Sequence, residues 1–453
     1  MMISAIKSAA WLSLPTKSDP DRYRDVNLKS KIGMQVFKFG GASVNSVERV
    51  KNVGDIIKLY PGEKLLVVIS AMGKTTNALE KVIDDFYAGK KDDALQLFHQ
   101  VKQQHLNTAK FLLVKNAVAC EEQLTSFFTE AEWLLYDNPV RDYDYYYDQI
   151  VCIGELLSTA IVSHYLNEIG IKNQWVDVRD IFRTDDNFRD AVIDWDFTNS
   201  KVQHSIIPLF NETNIVLTQG FIGATDENES TTLGREGSDY SAAVFANLLN
   251  AKTQTIWKDV NSVMNADPKQ FPDALEIHEL NYNEVIEMAY YGAQVIHPKT
   301  IKPLQNKNIP LNVKCFLDPS LPGTVIHNKT LKGLPPIIVV KENQVMIELS
   351  SKDFSFVEEK PIADLFHLFE KLKIKPNLTQ NAAISMICVL DDRKDKIEKL
   401  ALAASEFFDI NVTKGLTLLT IRHYTTEIYQ KLTKGKKMLL QQRTNETVQA
   451  LLQ

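Results

Sequence analysis

The stretch that decides the fold is Lys38-Phe39-Gly40-Gly41-Ala42-Ser43, near the start of a chain of 453 residues. A short apolar run at 35–39 predicts a buried strand, and the apolar spacing that follows predicts a helix capped by Ser43. Adjacent glycines at such a turn let backbone N–H groups approach an anion, and the helix start adds positive potential. The sequence therefore predicts a phosphate-binding turn, with an ordinary tight turn as the alternative. It is not a Walker A motif, because the lysine precedes the glycines.

Strands and helices alternate from this turn onward. The continuous apolar run KLLVVIS at 64–70 is typical of a parallel strand covered on both faces. Further strands are predicted at 214–219 and 253–258. Helices are predicted within 94–128 and at 150–166 and 238–249. This alternation predicts an α/β sheet with helices on both faces.

The pattern changes after residue 319. The breakers Pro322-Gly323 and Pro335-Pro336 predict a linker at about 320–335. Beyond it we predict strands at 345–349 and 384–390, helices at 362–372 and 397–408, and a shorter strand–helix–strand series at 416–452. Two small α+β units in this tail are typical of a regulatory or assembly appendage.

Composition excludes several classes of protein. The net charge is −6, so a basic surface for nucleic acid is not expected. Uninterrupted apolar stretches, such as 65–69, fall far short of the ~18 residues of a membrane span, so no membrane association is predicted. The four cysteines form no C-x-x-C pair, which favours a reducing cytoplasm. We expect residues 1–33 to be a disordered leader, or Met34 to be the true start.

Four further segments carry polar side chains where strands end or helices begin. In TTLGREGSDYS at 231–241, Arg235 can grip a carboxylate with two hydrogen bonds, and Asp239 lies near a helix start. Asp239 can equally be a charge that complements the helix dipole. Glu155 begins the helix of GELLS, where a capping role is the alternative. The other two segments are the loop SAMGKTTN at 70–77 and the strand end WKDV at 257–260, which leads to an Asp-Pro turn.

Two segments are predicted to be structural. The cluster YDYYY at 143–147 is interpreted as a packing surface. His297-Pro298 is expected to end a helical segment, and His297 is not interpreted as a metal ligand. No residue of the chain is predicted to be a metal ligand.

Together these segments resemble the aspartokinase family of the amino-acid kinase fold. The matching stretches are KFGGASV (38–44), VVISAMGKTTN (67–77), GELLST (154–159), QGFIGAT (219–225), TTLGREGSDYSAA (231–243), WKDVNSVMNADPK (257–269) and EMAYYGAQVIHPKTI (287–301). The resemblance is strong over 34–330. It is weaker over 336–453, which is similar to the family's paired ACT regulatory domains.

The resemblance implies a three-layer α/β/α catalytic domain of the carbamate kinase type at 34–330. It also implies α+β ACT-like domains at 336–453, one inserted within the other. The second unit, from 416, is too short to be complete, so we expect 337–340 to supply its missing strand.

The resemblance also implies roles for single residues. Lys38 and Asp239 would be the catalytic pair. The amino-acid substrate would be held by Ser70, Thr76, Glu155 and Arg235. The phosphates and the nucleotide would be held by Gly40, Gly41, Ser43, Lys258, Asp259, Met264 and Lys269. The chain departs from the family pattern at Lys258, Ser262, Lys269 and Gln294, which concerns the nucleotide contacts and not the catalytic pair.

The implied reaction converts ATP and L-aspartate to ADP and 4-phospho-L-aspartate, with Mg²⁺, as the first step toward lysine, threonine and methionine in the diaminopimelate route. A catalytically silent amino-acid sensor is the main alternative, and a kinase for another small acid such as glutamate is a further one. A bifunctional kinase–dehydrogenase is excluded by length and by the lack of a G-x-G-x-x-G segment. A homodimer or larger assembly is expected through 336–453. Lysine, ahead of threonine, is the expected effector, although Lys360 stands where a small residue usually begins the effector turn.

Overall fold

The structure is a computed structural model that describes residues 33–293, 295–352 and 359–453, the side chains of 359–361 excepted. The predictions about residues 1–32, Gln294 and Lys360 lie outside the described residues. The strands are β1 (Gln35–Phe39), β2 (Leu65–Ile69), β3 (Asn173–Val176), β4 (Ile215–Gln219), β5 (Ile222–Ala224), β6 (Ser230–Thr232), β7 (Thr253–Lys258), β8 (Val263–Met264), β9 (Glu276–Ile277), β10 (Glu279–Asn281), β11 (Leu311–Cys315), β12 (Thr324–His327), β13 (Ile337–Ser351), β14 (Leu378–Asn381), β15 (Ser385–Asp391), β16 (Phe408–Arg422), β17 (Met438–Arg443) and β18 (Thr447–Leu452). The helices are α1 (Val47–Lys58), α2 (Thr75–Tyr87), α3 (Lys91–Leu112), α4 (Ala117–Tyr136), α5 (Tyr143–Val151), α6 (Ile153–Glu168), α7 (Trp195–Lys201), α8 (Gly237–Leu248), α9 (Tyr282–Tyr291), α10 (Pro298–Lys307), α11 (Glu359–Lys371), α12 (Lys394–Ala404) and α13 (Thr426–Thr433).

The larger sheet has eight strands in the order β10-β12-β11-β7-β1-β2-β4-β3. The six strands from β11 to β3 run parallel, and β12 pairs antiparallel with β11. All five residues of β2 and of β4 are buried. Because successive side chains of a strand point to opposite faces, both faces of this sheet are covered. The predicted α/β class is confirmed.

The turn after β1 differs from the prediction at one residue. Residues Gly41–Val44 form a short 3₁₀ helix, and α1 begins three residues later. The side chain that caps α1 is Ser46, whose Oγ accepts from the N–H of Arg49 at 3.3 Å. Ser43 is buried within the 3₁₀ turn instead. The prediction of a cap at Ser43 was wrong because the chain needs one more turn to leave the sheet edge.

One continuous helical stretch, Tyr143–Glu168, is long and apolar enough to cross a membrane by length and composition. Its most apolar window is 89% buried inside the protein, as in the core helix of a globular fold. Polar residues such as Ser158 interrupt this stretch, so it contains no uninterrupted apolar run of that length.

The smaller sheet has six antiparallel strands in the order β14-β15-β13-β16-β18-β17. Strand β13 pairs with two groups of strands. Its first part, Ile337–Lys341, pairs with Leu418–Arg422, and its later part pairs with both β15 and the start of β16. The prediction that 337–340 supplies a strand to the second unit is confirmed.

Three boundaries were predicted wrongly. The expected linker at 320–335 contains β12, which pairs within the larger sheet at Thr324–His327. The helix expected to reach 408 ends at Ala404, and Phe408 begins β16. His297 does not end a helix but begins α10, where its Nδ1 accepts from the N–H of Lys299. In the first two cases, pairing with a distant strand outweighs the local sequence signals, whereas His297 is a local N-cap beside Pro298 at the first helical position.

Strand β16 also contacts the larger sheet's helices. The Arg422 guanidinium donates to both carboxylate oxygens of Glu284 on α9, at 2.9 and 2.7 Å. Arg422 Nη1 donates further to Thr447 Oγ1 at 3.0 Å and to Glu287 Oε2 at 3.3 Å. This group of contacts, called the junction below, joins the six-stranded sheet to α9.

Candidate active site

The carboxyl ends of β1, β2, β4 and β7 meet at one edge of the larger sheet because these strands are parallel. Loops and helix starts that follow them enclose a cavity of about 430 Å³. It is lined by seven of the residues singled out from the sequence: Lys38, Gly41, Ser70, Thr76, Glu155, Arg235 and Asp239. Two other cavities, of about 520 and 770 Å³, contain none of the predicted site residues. The cavity at the strand ends is therefore the candidate active site.

Lys38 and Asp239 form a buried ion pair in this cavity. Lys38 lies on β1 and Asp239 in the first turn of α8, and Lys38 Nζ is 2.6 Å from Asp239 Oδ1. Burial opposes ionisation of Asp239, but the ammonium groups of Lys38 and Lys258 outweigh it and hold the pKa of that carboxyl below its ordinary value. Apart from this contact with Lys38, the buried Oδ1 has no hydrogen-bond partner among the described residues.

Glu155 is a second buried carboxyl group of the cavity. It lies in the first turn of α6, and its Oε1 accepts from the backbone N–H of Ala71 at 3.3 Å. Its Oε2 is buried and has no hydrogen-bond partner among the described residues. Burial raises the pKa of Glu155 to about 8, against the opposing effect of the Ala71 N–H. The carboxyl group thus holds a position suited to a cation that the protein itself does not supply.

The glycine turn lies against the loop that follows β2. A Cβ atom added to Gly41 would come within 2.6 Å of the carbonyl oxygen of Ala71, so no larger residue fits. The carbonyl oxygen of Gly41 accepts from the N–H of Gly73 at 2.9 Å, and the N–H of Ser70 donates to Phe39. These bonds hold the two loops together at the cavity.

Arg235 and Thr76 remain available to a ligand. The Arg235 side chain is exposed and makes no hydrogen bond or ion pair with any described residue. The preceding Gly234 has a φ of 75°, a left-handed conformation that favours glycine. The Thr76 side chain is half-buried at the start of α2 and has no hydrogen bond within the described ranges. The arrangement leaves a guanidinium and a hydroxyl group facing the cavity.

Of the residues predicted for the phosphates and the nucleotide, Gly41 lines this cavity, and the others, which are Gly40, Ser43, Lys258, Asp259, Met264 and Lys269, do not. Lys258 is near enough to act electrostatically on Asp239, and its Nζ donates to the carbonyl oxygen of Val295 at 2.7 Å. Asp259 pairs with Arg49 at 2.8 Å. Met264 is half-buried in β8, and Lys269 is exposed in the following turn. None of these four side chains therefore lines the cavity that holds Lys38 and Asp239.

Sequence reasoning missed a second group of cavity residues. Tyr147 and Arg189 both line the cavity, although the tyrosine cluster was interpreted as packing. The buried Asp148 accepts from the N–H of Arg189 at 2.9 Å and from the N–H and hydroxyl of Thr232, each at 2.7 Å. Burial raises the pKa of Asp148 to about 6, opposed by these hydrogen bonds. The sequence signal that could have revealed these residues is Asp148, an aspartate inside the aromatic helix α5.

No group of three or more histidine, cysteine, aspartate or glutamate side chains in the described ranges is placed to hold a metal ion. Cys120, Cys152, Cys315 and Cys388 are all buried and free.

Comparison with known proteins first defines the class. The sequence pattern of the amino acid kinase family matches residues 33–315, which is more than half of the chain. The eight-stranded sheet and the cavity at its carboxyl edge are thus those of an amino acid kinase.

Individual relatives identify one family within this class. Lysine-sensitive aspartokinase 3 of Escherichia coli (strain K12) is 30% identical over 397 residues, covering 85% of this chain and 86% of the relative. Aspartokinase 1, chloroplastic, of Arabidopsis thaliana is 31% identical over 424 residues, covering 85% of this chain and 70% of the relative. The chain belongs to the aspartokinase family. It spans 66% of the length of another Arabidopsis thaliana relative, aspartokinase 2, chloroplastic, at 34% identity over 79% of this chain.

Solved structures agree with this assignment. Escherichia coli aspartokinase III in complex with lysine and aspartate (T-state) superposes with a TM-score of 0.77 at 26% identity, covering 92% of this chain and 95% of the other. The same enzyme in complex with aspartate and ADP (R-state) gives 0.74 at 27% identity, covering 92% and 96%. The predicted family, fold and enzyme class, aspartate kinase, are confirmed.

Proposed function

We propose that the chain transfers the γ-phosphoryl group of ATP to the side-chain carboxylate of L-aspartate, which gives 4-phospho-L-aspartate and ADP. The observation that carries this proposal is the unpartnered Oε2 of Glu155, which shares one cavity with the free guanidinium of Arg235 and with Lys38. An amino acid with two carboxylates presents one cation and two anions. Glu155 binds the ammonium group, Arg235 binds the α-carboxylate, and Lys38 faces the reacting carboxylate.

The chemistry needs positive charge more than it needs a base. The side-chain carboxylate of aspartate has a pKa of about 3.9, so it is ionised at neutral pH and attacks without losing a proton. One of its oxygens forms a bond to the γ-phosphorus while the bond from that phosphorus to the bridging oxygen of ADP breaks. The barrier is repulsion between two anions, which Lys38 and the N–H groups at Gly40 and Gly41 reduce. Asp239 orients Lys38.

Nucleotide and Mg²⁺ complete the proposed site. Lys258, Asp259, Met264 and Lys269 surround the nucleotide, and Ser43 and the glycine turn face its phosphates. The Asp239 carboxylate, which Lys38 contacts through Oδ1 at 2.6 Å, is the cavity group that would also hold a hard cation. Mg²⁺ bound there with ATP would supply positive charge to the phosphate oxygens.

For the rest of the chain we propose a catalytic domain at 34–330 and ACT-like regulatory domains at 336–453. The Escherichia coli relative is named lysine-sensitive, and its enzyme has been crystallised with lysine and aspartate. These names support lysine as the effector and the tail as its site, with assembly into a homodimer or larger through the same residues. The proposed location is the cytoplasm, although the plant relatives are named chloroplastic. Titration with lysine and threonine, with mass followed by light scattering, tests both parts.

The activity is tested by ADP release in the presence of L-aspartate, L-glutamate or no acid. Hydroxylamine added to the reaction traps an acyl phosphate as its hydroxamate, which separates phosphoryl transfer from ATP hydrolysis. We expect ADP and hydroxamate in equal amounts with L-aspartate alone. Aspartate binding without ADP release would instead support the silent sensor, and faster turnover of glutamate would reassign the substrate.

A further inference from the structure

Arg189 is a cation at the wall of the substrate cavity that the proposed mechanism does not use. It lies in the loop between β3 and α7 and lines the same cavity as Glu155 and Arg235. Its backbone has a φ of 70°, a left-handed conformation that a bulky side chain seldom adopts. Such conformations persist where the surroundings hold them, often at ligand sites.

The surroundings of Arg189 hold it firmly. Its N–H donates to Oδ2 of the buried Asp148 at 2.9 Å. The same carboxylate binds the N–H and the hydroxyl of Thr232, each at 2.7 Å, and Thr232 also lines the cavity. Asp148 therefore fixes the Arg189 backbone to the strand that leads into the Arg235 loop.

The guanidinium of Arg189 has donor groups that its neighbours in the described part of the chain do not use. Its carbon lies 4.3 Å from the ring centre of Tyr147, another cavity residue. Arg189 Nη1 donates to Asp144 Oδ1 at 2.9 Å, in a pair whose two side chains are 41% and 54% exposed. Such an exposed pair contributes little and is easily exchanged. No other side-chain nitrogen of Arg189 donates to a residue in the described part of the chain.

The segment that carries Arg189 lies against the segment that carries Arg235. A Cβ atom added to Gly234 would come within 2.6 Å of Asp190 Oδ1 and 3.2 Å of the carbonyl oxygen of Arg189. Lys299 ties the same segments together, because its Nζ donates to Asp190 Oδ1 and to the carbonyl oxygen of Leu233, both at 3.0 Å. The residue after Gly234 is Arg235, so the two guanidinium groups arise from adjoining points of one wall.

We propose that Arg189 is a specificity-determining residue that binds the substrate α-carboxylate together with Arg235. This inference rests on the proposed function and adds a second cation to it. Two guanidinium groups on one carboxylate make a free α-carboxylate a strong requirement, because the analogue that lacks it leaves both cations without a partner. The stacking on Tyr147 keeps the Arg189 side chain in position before the substrate arrives.

The test compares Arg189→Gln and Arg189→Gly with the wild-type protein, by kinetics and by calorimetric titration without nucleotide. The probes are L-aspartate and its α-amide, which keeps the ammonium group and the reacting carboxylate but loses the α-carboxylate. We expect both variants to raise KM and Kd for L-aspartate roughly ten- to a hundredfold, the effect of one charge-assisted hydrogen bond. The KM for ATP and the Kd for the α-amide should stay within about twofold.

Two controls separate recognition from structure. Arg141→Gln removes a matched arginine, which stacks at 3.8 Å on Tyr145 of the same helix and pairs with Glu229 but does not line the cavity. It should leave L-aspartate binding unchanged. Glycine relieves the left-handed strain at 189 and glutamine does not, so the two variants should differ in thermal stability yet lose affinity equally.

The proposal on Arg189 is overturned if its variants bind L-aspartate as the wild type does, or lose affinity for the α-amide to the same extent. Absence of ADP release by a wild type that still binds L-aspartate overturns the proposed function alone, because the titration continues to report on Arg189. A wild type that binds no L-aspartate overturns both.

Discussion

Two buried ion pairs, one in the cavity and one at the junction, differ in how completely their atoms are hydrogen-bonded. The side chains of Lys38 and Asp239 are 11% and 4% exposed, and those of Arg422 and Glu284 are 10% and 8% exposed. Arg422 donates four hydrogen bonds, and both oxygens of Glu284 accept from it. Asp239 Oδ1 has its 2.6 Å contact with Lys38 and no other hydrogen-bond partner among the described residues.

Two ion pairs of similar burial therefore differ in how many hydrogen bonds they make. A buried ion pair compensates for lost hydration only when further hydrogen bonds complete its geometry. Arg422 and Glu284 meet this condition, although His423 Nε2, 3.1 Å from Glu284 Oε1, is buried without a hydrogen-bond partner among the described residues. The cavity pair does not meet it, and neither does Glu155, whose Oε2 is also unpartnered. Within the cavity, we expect the substrate ammonium to complete Glu155 Oε2.

The largest effect is expected from Lys38→Ala. Removing a preorganised charge at the transition state costs about 3 kcal/mol, or roughly 10²–10³ in kcat. Removal of Lys38 also leaves the Asp239 carboxylate buried without its ammonium partner, so the melting temperature should fall as well, and turnover is compared at a temperature at which the variant is folded. Lys102→Ala is the matched control, since Lys102 pairs with Glu132 at 3.0 Å away from the cavity. A variant that kept more than a tenth of wild-type turnover would remove Lys38 from the catalytic role.

The junction should lose stability without a comparable loss of turnover. Arg422→Ala leaves the carboxylate of Glu284 buried without its guanidinium partner, which typically costs about 3–5 kcal/mol. The midpoint of urea unfolding should fall accordingly, with a smaller effect on kcat than that of Lys38→Ala. The double variant Arg422→Met/Glu284→Leu should recover most of the loss, because it removes both charges. If the single and double variants were equally unstable, packing and not charge would explain the junction.

The sequence predicts the cavity side of this contrast but not the junction side. The segments around Lys38, Glu155, Arg235 and Asp239 carry strong local patterns, and parallel strands bring their ends to one edge by geometry alone. The sequence analysis placed these residues at strand ends and helix starts, where the structure has them. Their roles in binding and catalysis remain predictions.

What the sequence could not predict depends on contacts between distant segments. Asp148 meets Thr232 across 84 positions, and Arg422 meets Glu284 across 138. Neither pair leaves a local pattern. The cap at Ser46 and the strand at Thr324–His327 were missed because tertiary packing, which no window of sequence contains, decides where the 3₁₀ turn ends and which segment joins the sheet.

Arg235→Lys sharpens the comparison within the cavity. Lysine keeps the charge but loses the two-pronged geometry that suits a carboxylate. We expect KM for L-aspartate to rise about tenfold, the effect of one good hydrogen bond, with KM for ATP unchanged. Initial-rate kinetics with each substrate varied in turn would measure this. An equal rise for both substrates, or a rise for ATP alone, would move Arg235 to the nucleotide side.

The smallest expected effect is a pH dependence carried by Glu155. Its pKa is raised from 4.5 to about 8, so in the empty cavity the group is mostly protonated at pH 7. Because the folded state keeps a proton that the unfolded state loses, this group makes the free energy of unfolding fall as pH rises from 4.5 to 8. A protonated Glu155 cannot pair with the substrate ammonium, so the affinity for L-aspartate should instead rise with pH. Between pH 7 and pH 8 the ionised fraction grows roughly fivefold, and calorimetric affinity should grow by about the same factor. Glu155→Gln should bind L-aspartate more weakly and lose this dependence. The assignment of Glu155 to the ammonium would be wrong if the variant kept the wild-type pH profile.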